Sequence, residues 1–209
     1  MNEKFLKYIE KIDMICPYLK SSIDKNLLNC TEVVLSSENT DEKLSKYIFY
    51  KSLILTEKFR KARHNLSERD MIFYTKNIIF DVDDLSYRQW EKIISWSHYT
   101  LKELFSSEQI MFGKFWKGEE IVSKITNKML PIPEITFISI RTAVKSRDPR
   151  LLSKIKEFAK IIKESNFKNK VEYPSYILKN YKLLEFEDLC ESGYYESLKR
   201  KLTDKLLKK

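Results

Sequence analysis

The residues best suited to chemistry in this sequence stand together at Ile78-Ile79-Phe80-Asp81-Val82-Asp83-Asp84. An apolar strand ending in Asp-x-Asp can aim two carboxylates at paired divalent cations, an arrangement that supports in-line attack on phosphorus. Asp81 and Asp83 are therefore the candidate pair for a metal-dependent nucleotidyl reaction. The same run also reads as a loop leading to a helix start at Ser86, because Asp and Ser side chains accept bonds from nearby backbone amides. That second reading is preferred, with Asp81 and Asp83 kept as the alternative. His64 and His98 stand alone without Cys or carboxylate at ligand spacing and read as surface or capping residues, and Cys16, Cys30 and Cys190 show no C-x-x-C pairing. No metal, no cofactor and no catalytic residue is expected on the preferred reading.

Glycine usage narrows the classes further. The chain has 209 residues and only three glycines, at 113, 118 and 193. Gly-rich phosphate cradles, dinucleotide fingerprints and nucleophile elbows need glycine where the backbone turns sharply or approaches a ligand, and none of these patterns is present. Trp90, Trp96 and Trp116 could stack on bases, but their helical spacing suits a core better.

Charge points to a partner. The net charge is +9 and its distribution is uneven: residues 141–170 carry +7, residues 171–196 carry −4 and residues 197–209 carry +5, so the first 140 residues are nearly neutral. Such segregation suggests a neutral body for protein contacts or self-association and a basic C-terminal third for a polyanion, DNA being favoured. The candidate nucleic-acid contacts are Lys154, Lys156, Lys160 and Lys163 on one helix, and Lys199, Arg200 and Lys201 near the end. Lysines opposite an apolar stripe are also what any solvated helix shows. The unpaired cysteines suit a reducing compartment, and neither a signal-peptide core nor a membrane-length apolar run occurs, so the expected setting is cytoplasmic or nucleoid-associated.

Helical spacing dominates the elements that must position these residues. Phe5, Ile9 and Ile12 form a stripe within residues 3–15, which Pro17 ends. Thr40 can cap a long helix through about Arg63, Ser67 a second, and residues 86–105 carry Trp90, Ile93, Ile94, Ser97, Leu101 and Leu104 on one face. A short helix is expected over residues 119–129, a strand over 135–141 after Pro131-Ile132-Pro133, and a helix after Asp148-Pro149. The expected fold is mainly α: an N-terminal helical bundle over residues 1–130, then a smaller basic α+β part over residues 131–209.

Two stretches resemble a known family. The run Glu57-Lys58-Phe59-Arg60-Lys61-Ala62-Arg63 with Leu66-Ser67-Glu68-Arg69-Asp70 is similar to the basic helix end and next capped helix of subunits of the GINS complex, the helical scaffold of replicative helicases. Residues 181–196, with Leu183-Leu184 and Gly193, are similar to the close of that family's small β-rich domain. The resemblance implies a non-catalytic adaptor that oligomerises through its helical domain and contacts helicase, primase or DNA. The Asp81-x-Asp83 run separately resembles the first acidic motif of archaeo-eukaryotic primases, although their Ser-Gly-x-x-Gly-x-His element has no counterpart here. The expected function is thus a non-catalytic subunit of a DNA-replication or other nucleoprotein complex, with a primase-like or nuclease-like enzyme as the alternative.

Overall fold

A computed structural model describes residues 2–148, except 14, 17, 36–39, 82–84, 106, 107, 124–126 and 145–147. Its elements run α1 (Glu3–Asp13), α2 (Leu19–Asp24), β1 (Leu28–Val34), α3 (Asp41–Arg63), α4 (Glu68–Met71), β2 (Thr75–Asp81), α5 (Tyr87–Leu104), β3 (Ile110–Phe115) and β4 (Thr136–Thr142). The four strands form one mixed sheet in the order β1-β2-β4-β3. β1 lies parallel to β2, whereas β4 is antiparallel to both β2 and β3. The parallel pair follows from the long connection through α3 and α4, since parallel neighbours cannot be joined by a tight turn.

Helices cover both faces. Alternation sends Val33, Ile78, Phe80, Ile110, Phe112, Ile138 and Ile140 to one side, where they pack with Leu44, Ile48, Leu53 and Phe59 of α3 and Trp90, Ile93, Ile94 and Leu101 of α5. The opposite side meets Phe5, Tyr8 and Ile9 of α1, joined by Ile79, Ile135 and Phe137. Each fully buried side chain of this size contributes ~1.5–3 kcal/mol. The central strands are thus buried on both faces.

Local sequence explains the helix ends. Thr40 Oγ1 accepts the Lys43 amide at 3.3 Å and starts α3. Ser86 and Gln89 close a reciprocal capping box on α5, with Gln89 N to Ser86 Oγ at 3.4 Å and Ser86 N to Gln89 Oε1 at 3.2 Å. Ser67 caps as expected, but α4 runs for only four residues. The left-handed positions that open β1 and β3 fall on Asn26 and Gln109, each at φ 55°, because no glycine is at hand.

The mainly α expectation is therefore corrected: residues 1–130 are not a helical bundle but contribute three strands of an α/β sheet layered between helices. The reason is physical. In β1 the apolar count is interrupted by Asn29, Thr31 and Glu32, and β3 is six residues long with Gly113 in its middle, so neither shows a clear strand period. The helix expected over residues 119–129 is also replaced. Val122 bridges Met129 in antiparallel fashion, with the Ser123 amide donating to the Lys128 carbonyl at 2.9 Å and the Leu130 amide to Ile121 at 2.8 Å. The strand expected over residues 135–141 is present as β4, and its neighbours on both sides come from the first 115 residues. Most of the part expected from residue 131 onward lies outside the described residues.

Where α3 and α5 end, charges are buried together. Glu57 is 2% exposed and accepts two bonds from Arg60, Nε to Oε2 and Nη2 to Oε1, both at 2.7 Å. Arg60 Nη1 also stands 3.6 Å from the Glu108 carboxylate. Arg63 donates from Nη2 to the Glu108 backbone carbonyl at 2.6 Å, while its Nε and Nη1 are buried without an acceptor. Burial lowers the proton affinity of the Arg63 guanidinium.

Candidate ligand cavity

Pair register places the sheet residues that face α1 and α2 in rows. Leu28, Thr75, Arg141 and Met111 form the first, Cys30, Asn77, Ser139 and Gly113 the second, and Glu32, Ile79, Phe137 and Phe115 the third. The third row is filled by rings. Phe115 stacks on Phe137 at 4.6 Å between centroids, and Phe5 and Tyr8 meet Phe137 edge-on at 5.0 and 5.5 Å. Gly113 makes this possible, because a Cβ there would stand 2.9 Å from the Phe115 ring.

The rings of the third row hold α1 off the sheet, and the small or polar side chains of the second row do not fill the space left beneath it. A cavity of about 220 Å³ remains between these helices and the sheet. Its lining is largely apolar, with Phe5, Ile9, Ile12, Leu19, Leu28, Phe115 and Phe137, but Thr75, Asn77, Ser139 and Arg141 also line it. These four are direct cross-strand pairs, Thr75 with Arg141 and Asn77 with Ser139, so they form one contiguous block on the two central strands.

The block holds unused hydrogen-bonding capacity. Thr75 Oγ1 is buried with no partner, and Ser139 makes no side-chain hydrogen bond among the described residues. Asn77, 4% exposed, reaches the Asn29 carbonyl at 3.5 Å and also bonds the Cys30 thiol. Arg141 is held end-on by Asp148, with Nη1 to Oδ2 at 2.7 Å and Nη2 to Oδ1 at 2.8 Å, and its second Nη1 proton goes to the Thr142 carbonyl at 3.0 Å. Asp148 also accepts the Val144 amide at 2.8 Å, which ties the end of β4 to the chain beyond it.

Burial governs the ionisable groups around this floor. It raises the Tyr8 phenol well above its usual range, with Glu119 adding to the effect, so Tyr8 stays protonated at any ordinary pH. Burial likewise pushes the Cys30 thiol up to about 11, against the opposing influence of Lys76 and Asn77, so it is not a thiolate nucleophile at neutral pH.

The residues singled out in the sequence fare differently. Asp81 is the exposed last residue of β2, and Asp83 lies outside the described residues. Among the described residues no group of three His, Cys, Asp or Glu side chains could hold a metal ion. Lys154, Lys156, Lys160, Lys163, Lys199, Arg200 and Lys201 all lie outside the described residues, as does Cys190. Trp90 and Trp116 are 2% and 1% exposed and belong to the core. His64 is exposed at the end of α3. His98 is neither surface nor cap, because its Nε2 lies 3.0 Å from the Phe112 carbonyl on the far side of the sheet from the cavity.

The four floor residues were not singled out. Ile138-Ser139-Ile140-Arg141 carries the signal, apolar and polar in alternation, but that pattern ordinarily marks a face turned to water. Here α1 and α2 cover that face.

These features define a class: an α/β domain with helices on both faces of a mixed sheet and a partly polar cavity beneath its first two helices. The chain belongs to the family described as a domain of unknown function, DUF6875, which matches residues 10–173. No curated protein and no solved structure matches it. Among the described residues no helix is long and apolar enough to cross a membrane.

Proposed function

We propose that this domain is a non-catalytic binding module that holds a small organic molecule in the cavity beneath α1 and α2. The observation that carries the reading is the block of Thr75, Asn77, Ser139 and Arg141 inside a half-open cavity whose remaining lining is mainly apolar. Thr75 Oγ1 is buried there without a partner among the described residues, and leaving such a group unsatisfied costs ~1–3 kcal/mol. A ligand that bonds it would recover that cost. The volume is adequate, since a cavity of roughly 150 Å³ accepts benzene.

The test is thermal melting of the full chain against a collection of small organic compounds. A ligand present at about 100 times its Kd stabilises by ~2.7 kcal/mol, which shifts the midpoint by several degrees. Compounds that raise the midpoint are expected, and Ser139→Leu, which fills the floor, abolishes their effect while leaving the variant folded. If no compound acts, or if hits act equally on Ser139→Leu, the cavity is not the site.

A second reading is favoured by the concentration of positive charge after residue 140. In it the basic C-terminal third contacts nucleic acid, DNA first, within a replication or other nucleoprotein assembly. Replacing Lys156, Lys160 and Lys163 together by Glu is expected to weaken DNA binding and to reduce the log–log salt slope by about three. Unchanged affinity across a salt titration removes that helix from the reading.

A further inference from the structure

Arg141 identifies the kind of molecule the cavity takes. A guanidinium has two donor forks. Asp148 occupies the end-on fork through Nη1 and Nη2, and Thr142 takes the remaining Nη1 proton. The side-on fork, Nε–H beside the second Nη2–H, has no acceptor among the described residues. Two parallel donors of this spacing match the two oxygens of a planar carboxylate. Thr75 stands directly across the strand pair from Arg141, with its Oγ1 buried and unpartnered, and Ser139 lies one row further on the same face. Both hydroxyls can donate. Asp148 already balances the Arg141 charge, so the incoming anion needs these extra donors to offset its own desolvation.

The rest of the lining is mainly apolar. Phe5, Phe115 and Phe137 line the end away from Arg141, in the aromatic row. At about 220 Å³ the space exceeds the roughly 150 Å³ that accommodates benzene by enough for a small polar group.

We infer that the cavity binds a small amphipathic monocarboxylate, a single ring or short aliphatic body bearing one carboxylate, with the carboxylate on the free fork of Arg141 and the body among the aromatic side chains. This inference rests on the binding reading of the same cavity. It adds the ligand's charge, its polarity and its orientation.

Calorimetry on the full chain tests it with two probes of matched shape, phenylacetate and 2-phenylethanol. Phenylacetate is expected to bind at least about tenfold tighter, the order of a charge-assisted hydrogen-bond pair. Arg141→Lys keeps a cation beside Asp148 but removes the fork, and is expected to weaken phenylacetate about tenfold with 2-phenylethanol unchanged. Thr75→Val leaves the Arg141–Asp148 pair intact and is expected to weaken phenylacetate about threefold to tenfold, which keeps the test decisive should Arg141→Lys fold poorly. Equal binding of the two probes, or binding of 2-phenylethanol alone, overturns the carboxylate assignment and leaves the cavity reading standing. Binding of neither probe overturns the monocarboxylate assignment, and the compound screen with Ser139→Leu then decides the cavity reading separately.

Discussion

Glu57→Ala should lower the unfolding free energy by about 3–5 kcal/mol, the largest loss expected from a single change outside the apolar core. Glu57 is 2% exposed and holds Arg60 through two bonds of 2.7 Å, so truncation leaves the half-buried Arg60 guanidinium without its main counter-charge. Glu108, 3.6 Å from Arg60 Nη1, offsets only part of the deficit. Arg63, the next cation along, already has Nε and Nη1 buried without acceptors, and Glu108 is shared between the two arginines. Against a typical domain stability of ~5–15 kcal/mol, such a loss is visible as a large shift in the urea midpoint. The informative control is Glu57→Met with Arg60→Met, which removes both charges and is expected to cost far less than Glu57→Ala alone. A loss below about 1 kcal/mol for Glu57→Ala would mean that solvent reaches these groups and screens them.

His98 gives the second large effect, through pH. Its pKa is lowered to about 4, first by burial and then by Lys102 and Lys114, although the bond to the Phe112 carbonyl opposes this. The unfolded chain takes up this proton near pH 6.5, whereas the native ring does so only near pH 4. Between those values the unfolded state binds more protons, so stability is full above pH 6.5 and falls as the pH drops toward 4. The loss attributable to this residue is on the order of 3 kcal/mol. Urea titrations at a series of pH values should show His98→Gln with a flatter profile than the parent across that window. Parallel profiles would place the ring in contact with water. Carboxylates that the fold holds below their usual range, such as Asp70 and Glu134, also lose their bonds in acid, which is why the comparison with the variant isolates the histidine.

Legibility in the sequence followed the physics of each element. Helices α1, α3 and α5 were readable because 11 to 23 residues give a 3.6-residue period room to repeat, and because Thr40 and Ser86 mark their starts with side chains that accept an orphan amide. β4 was readable because Pro131 and Pro133 force extended backbone before a β-branched run. β2 could be seen as an apolar run ending at Asp81, but its first half, Thr75-Lys76-Asn77, looks like loop. β1 was missed for the same reason: Asn29, Thr31 and Glu32 interrupt any apolar count. The polar residues that hid the strands include those that floor the cavity. A polar side chain on a covered sheet face has the same spacing as one turned to water, and the covering helices come from residues some 50 to 140 positions away in the chain. Only the tertiary arrangement tells the two apart.

The space beneath α1 and α2 is open on one side, so solvent reaches its floor without global unfolding. An occupant that displaces this solvent bridges the first two helices to the sheet. The backbone amides of α1 and α2 then exchange with deuterium more slowly than in the empty form, while those of α3 and α5 on the far side keep their rates.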